Sequence, residues 1–84
     1  RMTKREVLQK LEEFLKSNRP EISLIFDEIE GEGGLCSLKG KYYIIVNRRL
    51  SLDAKIKIIT AALKQLNSFE LPPEIKEVIK KWAE

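Results

Sequence analysis

Hydrophobic and polar positions recur with two different periods along this chain, and the changes of period divide it into helices and strands. Near the amino end, apolar residues recur every three or four positions, which predicts an amphipathic helix: Val7, Leu8, Leu11, Phe14 and Leu15. Thr3 and Glu6 have the spacing of a capping box, so we expect the helix to begin there. Residues 17–20 should end it, because Pro20 cannot continue a helix and biases Arg19 towards extended geometry.

The period then shortens to two, which is typical of a strand. Residues 21–29 alternate loosely, with Ile22, Leu24 and Phe26 on one face, and we interpret them as the first strand. Residues 30–34 form a glycine-rich loop.

A hairpin should follow this loop. Residues 35–38 are predicted to be the second strand, and Lys39 with Gly40 a two-residue hairpin connection, since glycine accepts a positive φ. Residues 42–46 are continuously apolar and rich in β-formers, which predicts a third strand buried on both faces.

Helical spacing returns in the second half of the chain. Residues 47–50 turn the corner, with the Asn47 side chain specifying the turn, and Ser51 is a good N-cap. An apolar stripe follows at helical spacing: Leu52, Ile56, Ile59, Leu63 and Leu66. This helix should end near residues 67–68, and Pro72 or Pro73 should begin a last helix.

The order of these elements predicts a single α+β domain over residues 1–84. Short turns between the strands indicate a three-stranded antiparallel sheet in chain order, with the N-terminal helix before it and two C-terminal helices packed on one face. Alternation places Tyr43 and Ile45 on one side of the third strand and Tyr42, Ile44 and Val46 on the other. Helices can cover only one side, so the other needs a different partner.

Length and charge sharpen this prediction. A domain of 84 residues with one cysteine has a small core and no internal disulfide, so a second copy is a plausible source of further burial. We therefore expect a homodimer whose interface includes Tyr42, Ile44 or Val46. The formal net charge is only +3, from 16 basic and 13 acidic residues, which is a weak argument for nucleic acid.

Composition also indicates where the protein works. Lysine, glutamate and isoleucine are abundant and histidine is absent, which favours a thermophilic source. The single cysteine and the absence of a signal peptide favour the cytoplasm. No apolar run approaches the ~20 residues that span a bilayer, so we expect no membrane partner.

Several chemistries are excluded. Without histidine there is no Ser-His-Asp or Cys-His unit and no imidazole ligand, and one cysteine cannot form a Cys-x-x-Cys pair. The glycines of residues 31–34 lack the spacing of a phosphate or dinucleotide loop. We therefore assign no catalytic residue, metal or cofactor.

The remaining candidates are residues for interaction rather than catalysis, and they flank the hairpin: Gly33, Gly34, Cys36, Lys39, Lys41, Arg48 and Arg49. The two glycines allow a ligand or another backbone to approach closely, or simply permit a wide loop. Cys36 is interpreted as a small buried strand residue that reacts slowly, with a nucleophilic thiol as the alternative.

The basic candidates suggest a second kind of partner. Lys39, Lys41, Arg48 and Arg49 are expected to project from one edge of the sheet, where they could hold single-stranded nucleic acid. Nucleic acid is possible but not favoured, because the acidic turn ahead of the hairpin would repel phosphates. We interpret that turn as solvated rather than cation-binding: Asp27, Glu28, Glu30 and Glu32.

Two family resemblances involve the strand at residues 43–47, the turn after it and the helix reaching Leu66. This stretch resembles the HExxH zinc metallopeptidases that cut phage-type repressors, in which the corresponding helix would carry the metal motif. Ala62, Leu63 and Leu66 occupy the positions of the first histidine, the glutamate and the second histidine, so the peptidase machinery is not carried over. With Gly33, Gly34 and Cys36 ahead of it, the stretch also resembles small bacterial proteins of unassigned function.

These observations rank three classes of function. A non-enzymatic, self-associating protein-interaction or scaffold domain leads. A weak nucleic-acid-binding module that uses the basic hairpin is second. An enzyme built on Cys36 or the carboxylates is third.

Overall fold

The computed structural model describes residues 1–18, 21–66 and 70–83. Six elements follow one another in an α+β arrangement: α1 (Lys4–Asn18), β1 (Ile22–Asp27), β2 (Gly33–Leu38), β3 (Lys41–Asn47), α2 (Leu52–Gln65) and α3 (Pro73–Trp82). The predicted fold class is confirmed. The predicted helix ends at residues 19–20 and 67–68 lie outside the described residues.

The sheet differs from the prediction in strand order. β3 lies in the centre, paired in parallel with β1 and antiparallel with β2, so the sheet is mixed rather than purely antiparallel. Residues 28–32 carry the chain from β1 across the end of β3 to the opposite edge of the sheet, where β2 begins. The β2–β3 hairpin then reverses the chain, so that β3 lies between β1 and β2. The most apolar strand thereby obtains neighbours on both sides.

The helices cover one face of this sheet. α1 lies against β1, while α2 lies against β3 and β2, and α3 packs on α1 and α2. Beneath them, Ile44 and Val46 have no exposed surface, and they join a continuous core with the apolar stripes of the helices. No helix in the described ranges is long and apolar enough to cross a membrane.

Local signals in the sequence set the ends of the helices. The Thr3 backbone N–H donates to Glu6 Oε1 at 2.8 Å, and the Glu6 N–H donates to Thr3 Oγ1 at 3.2 Å, which is the predicted capping box. These bonds lower the pKa of Glu6. Ser51 Oγ accepts from the Ala54 N–H at 3.2 Å and caps α2. In the hairpin, Lys39 and Gly40 both have positive φ, as a type I′ turn requires.

Gly33 permits β2 to start close against β3. Its φ is +108°, and a Cβ atom built on it would lie 2.0 Å from the Ile45 carbonyl oxygen. The sequence permits two interpretations of Gly33 and Gly34: close approach of a ligand or another backbone, or a wide loop. At Gly33 the first interpretation is correct, and the approaching group is another backbone. The contact is structural, because the approaching group belongs to the central strand.

We expect Gly33→Ala to destabilise the protein by about 3 kcal/mol or more, because it adds a backbone clash to an unfavourable φ. Gly31→Ala is the matched control: Gly31 has φ +83° with open space around its Cβ position, so only conformational strain of about 1–2 kcal/mol applies. Urea denaturation of both variants measures the difference. Equal losses would contradict the close approach at Gly33.

Candidate functional site

One face of the sheet carries none of the described helices. The pairing register places on it the odd-numbered residues of β1 and β3 and the even-numbered residues of β2. We call this surface the open face: Ser23, Ile25 and Asp27 from β1, Lys41, Tyr43, Ile45 and Asn47 from β3, and Gly34, Cys36 and Leu38 from β2.

The middle of the open face is apolar. Tyr43 and Ile45 are half-buried, while Ile25 is 39 % exposed and Leu38 61 % exposed. Gly34 lies opposite Ile45 in the register and has no side chain to cover it. Lys41 limits the patch at the hairpin end, where its Nζ lies 5.7 Å from the centre of the Tyr43 ring.

This geometry corrects the predicted interface residues. Ile44 and Val46 lie under the helices with no exposed surface, and Tyr42 packs against the same core. The apolar side chains of β3 on the open face are those of Tyr43 and Ile45. The prediction is therefore wrong for Ile44 and Val46, because the helices cover the more apolar side of the strand. Tyr42 is only half-buried, so its place in an interface stays a prediction.

Cys36 also differs from the prediction, because its thiol is exposed rather than buried. Its neighbour Leu35 points towards the helices, so alternation along β2 turns Cys36 outwards, beside Tyr43 of β3. Among the described residues, no hydrogen-bond partner contacts the thiol. The site therefore offers an accessible sulfur, with no base beside it in the described part of the chain.

The four basic candidates do not lie at one edge of the sheet. Lys39 and Lys41 are at the hairpin end, whereas Arg48 and Arg49 follow the opposite end of β3. Seven residues of strand place Lys41 and Arg48 roughly 23 Å apart. The single basic cluster of the prediction is wrong, because the connecting strand is extended.

Both arginines contact carboxylates. Arg48 Nη2 lies 3.2 Å from Asp27 Oδ1, and Arg49 Nη2 lies 3.4 Å from Glu28 Oε1. These pairs are exposed and add little stability. They do mean that an approaching phosphate would meet two carboxylates beside the two guanidinium groups, which disfavours nucleic acid at this end.

Asn47 holds this end of the sheet together. Its Nδ2 donates to the Ile29 carbonyl at 3.1 Å and the Gly31 carbonyl at 2.9 Å, and its Oδ1 accepts from the Arg49 N–H at 3.0 Å. The side chain therefore specifies the turn, as predicted. It also fastens the loop that crosses the end of β3, which the sequence did not reveal.

The positions that correspond to the zinc motif lie in the core. Ala62 and Leu63 of α2, and Leu66 at its C-cap, are all buried and belong to the hydrophobic core. Within the described ranges, no group of three or more Cys, Asp or Glu side chains is arranged to hold a metal ion.

Comparisons with known proteins add no relative, since no protein-family model, no curated protein and no solved structure matches the chain. The two family resemblances therefore stay predictions.

We expect Cys36 in dilute native protein to react with a thiol reagent at a rate within about threefold of the denatured chain, because its side chain is exposed. Mixing with dithiobis(nitrobenzoate) under native and denaturing conditions measures both rates. A native rate a hundredfold slower would contradict the outward orientation of this residue.

We expect Asn47→Asp to destabilise the protein at pH 7 by about 2 kcal/mol, at least as much as Asn47→Ala. The aspartate keeps an acceptor for the Arg49 N–H but directs a carboxylate oxygen at the Ile29 and Gly31 carbonyls. Urea denaturation compares the two variants. Wild-type stability in Asn47→Asp would show that the two donated bonds contribute nothing.

Proposed function

We propose that this protein is a non-enzymatic interaction domain that self-associates as a homodimer through the open face of its sheet. The observation that carries the proposal is the apolar centre of that face, formed by Ile25, Tyr43 and Ile45 and extended by Leu38. Exposed apolar surface of this kind is typical of interaction sites. We further infer a cytoplasmic protein, on the basis of its single cysteine.

Two such faces pack well if their strands run antiparallel about a two-fold axis. The strands of each copy then lie over the same strands of the other, as in a sandwich of aligned sheets. Lys41, at one end of the open face, would meet Asp27 of the second copy, so the ends carry opposite charges. In that register Tyr43 of each copy would lie against Ile45 of the other.

The size of the face predicts how strong this dimer is. Strand spacing of about 4.8 Å and a rise of about 3.3 Å per residue give a three-stranded face of this length a footprint of roughly 300 Å². A standard interface buries about 800 Å² on each partner. We therefore expect a reversible dimer that forms only at high protein concentration, with a dissociation constant in the micromolar range or weaker.

Ile25→Lys tests the proposal, with Met2→Lys as the matched control. Both residues are exposed to the same degree, 39 % and 40 %, but only Ile25 lies on the open face. In sedimentation equilibrium up to millimolar concentration, we expect Ile25→Lys to weaken the dimer at least tenfold, since each lysine places a charge in the apolar centre. Met2→Lys should dimerise like the wild type.

Cys36 provides an independent readout without mutation. It lies beside Tyr43 on the open face, so dimerisation should slow its labelling by a thiol reagent as protein concentration rises. A wild-type protein that stays monomeric, or a dimer equally weakened by both lysine variants, would overturn the proposal. Unchanged labelling of Cys36 in a dimer would place the interface elsewhere.

A further inference from the structure

β1 has one edge that pairs with no described strand. The Glu21 and Asp27 carbonyls accept bonds of 2.9 Å from the Tyr42 and Arg48 N–H groups, so the odd-numbered residues of β1 bond towards β3. The even-numbered residues therefore direct their N–H and C=O groups away from the sheet. In the described part of the chain, no other strand pairs with this edge. Leu24 and Phe26 thus present main-chain donors and acceptors in the geometry that another strand would match.

A groove runs along the same edge. It lies between α1 and β1, has a volume of about 370 Å³, and is lined on its apolar side by Leu15, Leu24 and Phe26. Leu24 and Phe26 point towards the helices but stay half-buried, whereas Ile22 at the start of β1 is buried. Glu12 and Lys16 of α1 form the polar rim.

The carboxylates on β1 favour a different partner over a second copy, although Arg48 offsets part of the Asp27 charge. Glu21 precedes the strand and Asp27 ends it, both on the open-face side. In antiparallel pairing of β1 with itself, the register that aligns Leu24 with its counterpart places Glu21 opposite Asp27 of the second copy at both ends. Like charges directly opposite one another destabilise a strand pair, whereas opposite charges stabilise it.

We propose that the free edge of β1 binds an extended segment of a partner protein as a fourth strand. The segment's alternate apolar side chains enter the groove between α1 and β1. Its intervening side chains, which lie on the open-face side, are lysine or arginine near Glu21 and Asp27. Main-chain bonds supply the affinity, and the groove and the carboxylates supply the selectivity.

Asp27 has an oxygen available for this contact. Its Oδ1 accepts from both Arg48 Nη2 and the Glu28 N–H, and no described donor lies on Oδ2. A lysine of the added strand can therefore approach Oδ2 without displacing Arg48.

Amide hydrogen exchange tests the proposal directly. The probe is an eight-residue peptide of alternating valine and lysine with blocked ends, added to the isotope-labelled protein. We expect the amides of Leu24 and Phe26 to gain at least about tenfold protection, because their outward N–H groups become bonded. The amides of Ser23 and Ile25 already bond to β3 in this register and serve as the internal control.

Two altered peptides distinguish strand addition from nonspecific binding. Methylating the main-chain nitrogens on the edge that faces β1 removes donors while keeping every side chain, and should weaken binding roughly tenfold or more. Replacing the lysines with glutamates should also weaken it, because the added charges repel Glu21 and Asp27.

A pair of protein variants maps the groove. Leu24→Thr keeps a strand-forming residue but removes apolar surface from the groove, so we expect several-fold weaker peptide binding. Leu38→Thr, on the open face, should leave peptide binding unchanged.

Three results would overturn the proposal: no detectable protection at Leu24 and Phe26, full binding of the methylated peptide, or protection that rises with protein concentration alone. The last would mean that β1 pairs with a second copy. None of these results bears on the open face, whose test is the Ile25→Lys dimer, so the two proposals can fail independently.

Discussion

The insertion of β3 between β1 and β2 depends on how the chain crosses the end of the central strand. Residues 28–32 make that crossing. The Glu32 carbonyl accepts a bond of 3.0 Å from the Asn47 N–H, and the carbonyls before it need donors from outside the strand pairing. The Asn47 amide provides two of them, at Ile29 and Gly31, while its oxygen holds the Arg49 N–H of the turn into α2. One side chain thus fixes the path of the crossing loop and the start of the following helix. Gly33 completes the arrangement, because only glycine can begin β2 this close to the Ile45 carbonyl.

The elements of this fold were predictable because their signals are local. The capping pair of Thr3 and Glu6, the N-cap at Ser51 and the Lys39–Gly40 turn each act within four residues, and each is present in the structure. Strand order is not local. A five-residue link between β1 and β2 fits a simple hairpin as well as a crossing, and only the preference of the most apolar strand for the centre distinguishes them.

The candidate site was predicted less well, for two physical reasons. Cys36 stands in an apolar-looking stretch, but strand alternation with Leu35 facing inwards turns both Cys36 and Leu38 outwards. The basic residues are close in sequence, yet an extended strand separates Lys41 from Arg48. The composition of a short strand is therefore a poor guide to which of its residues are buried. The orientation of at least one residue must be known before alternation can assign the others to a face.

Both proposed surfaces exist because three helices are too few to cover the whole sheet. Three helices must cover a three-stranded sheet, and α3 packs on α1 and α2 instead of reaching the strands. The helical layer therefore covers one face and stops short of the outer edge of β1, where Leu24 and Phe26 stay half-buried.

The open face suits another flat apolar surface, because its strands are already paired and only side chains remain. The edge of β1 suits a strand, because unpaired main-chain groups are what it offers. Contact across the face and hydrogen bonding along the edge run in perpendicular directions, so the two surfaces share only Asp27, which stands where the open face meets the edge of β1.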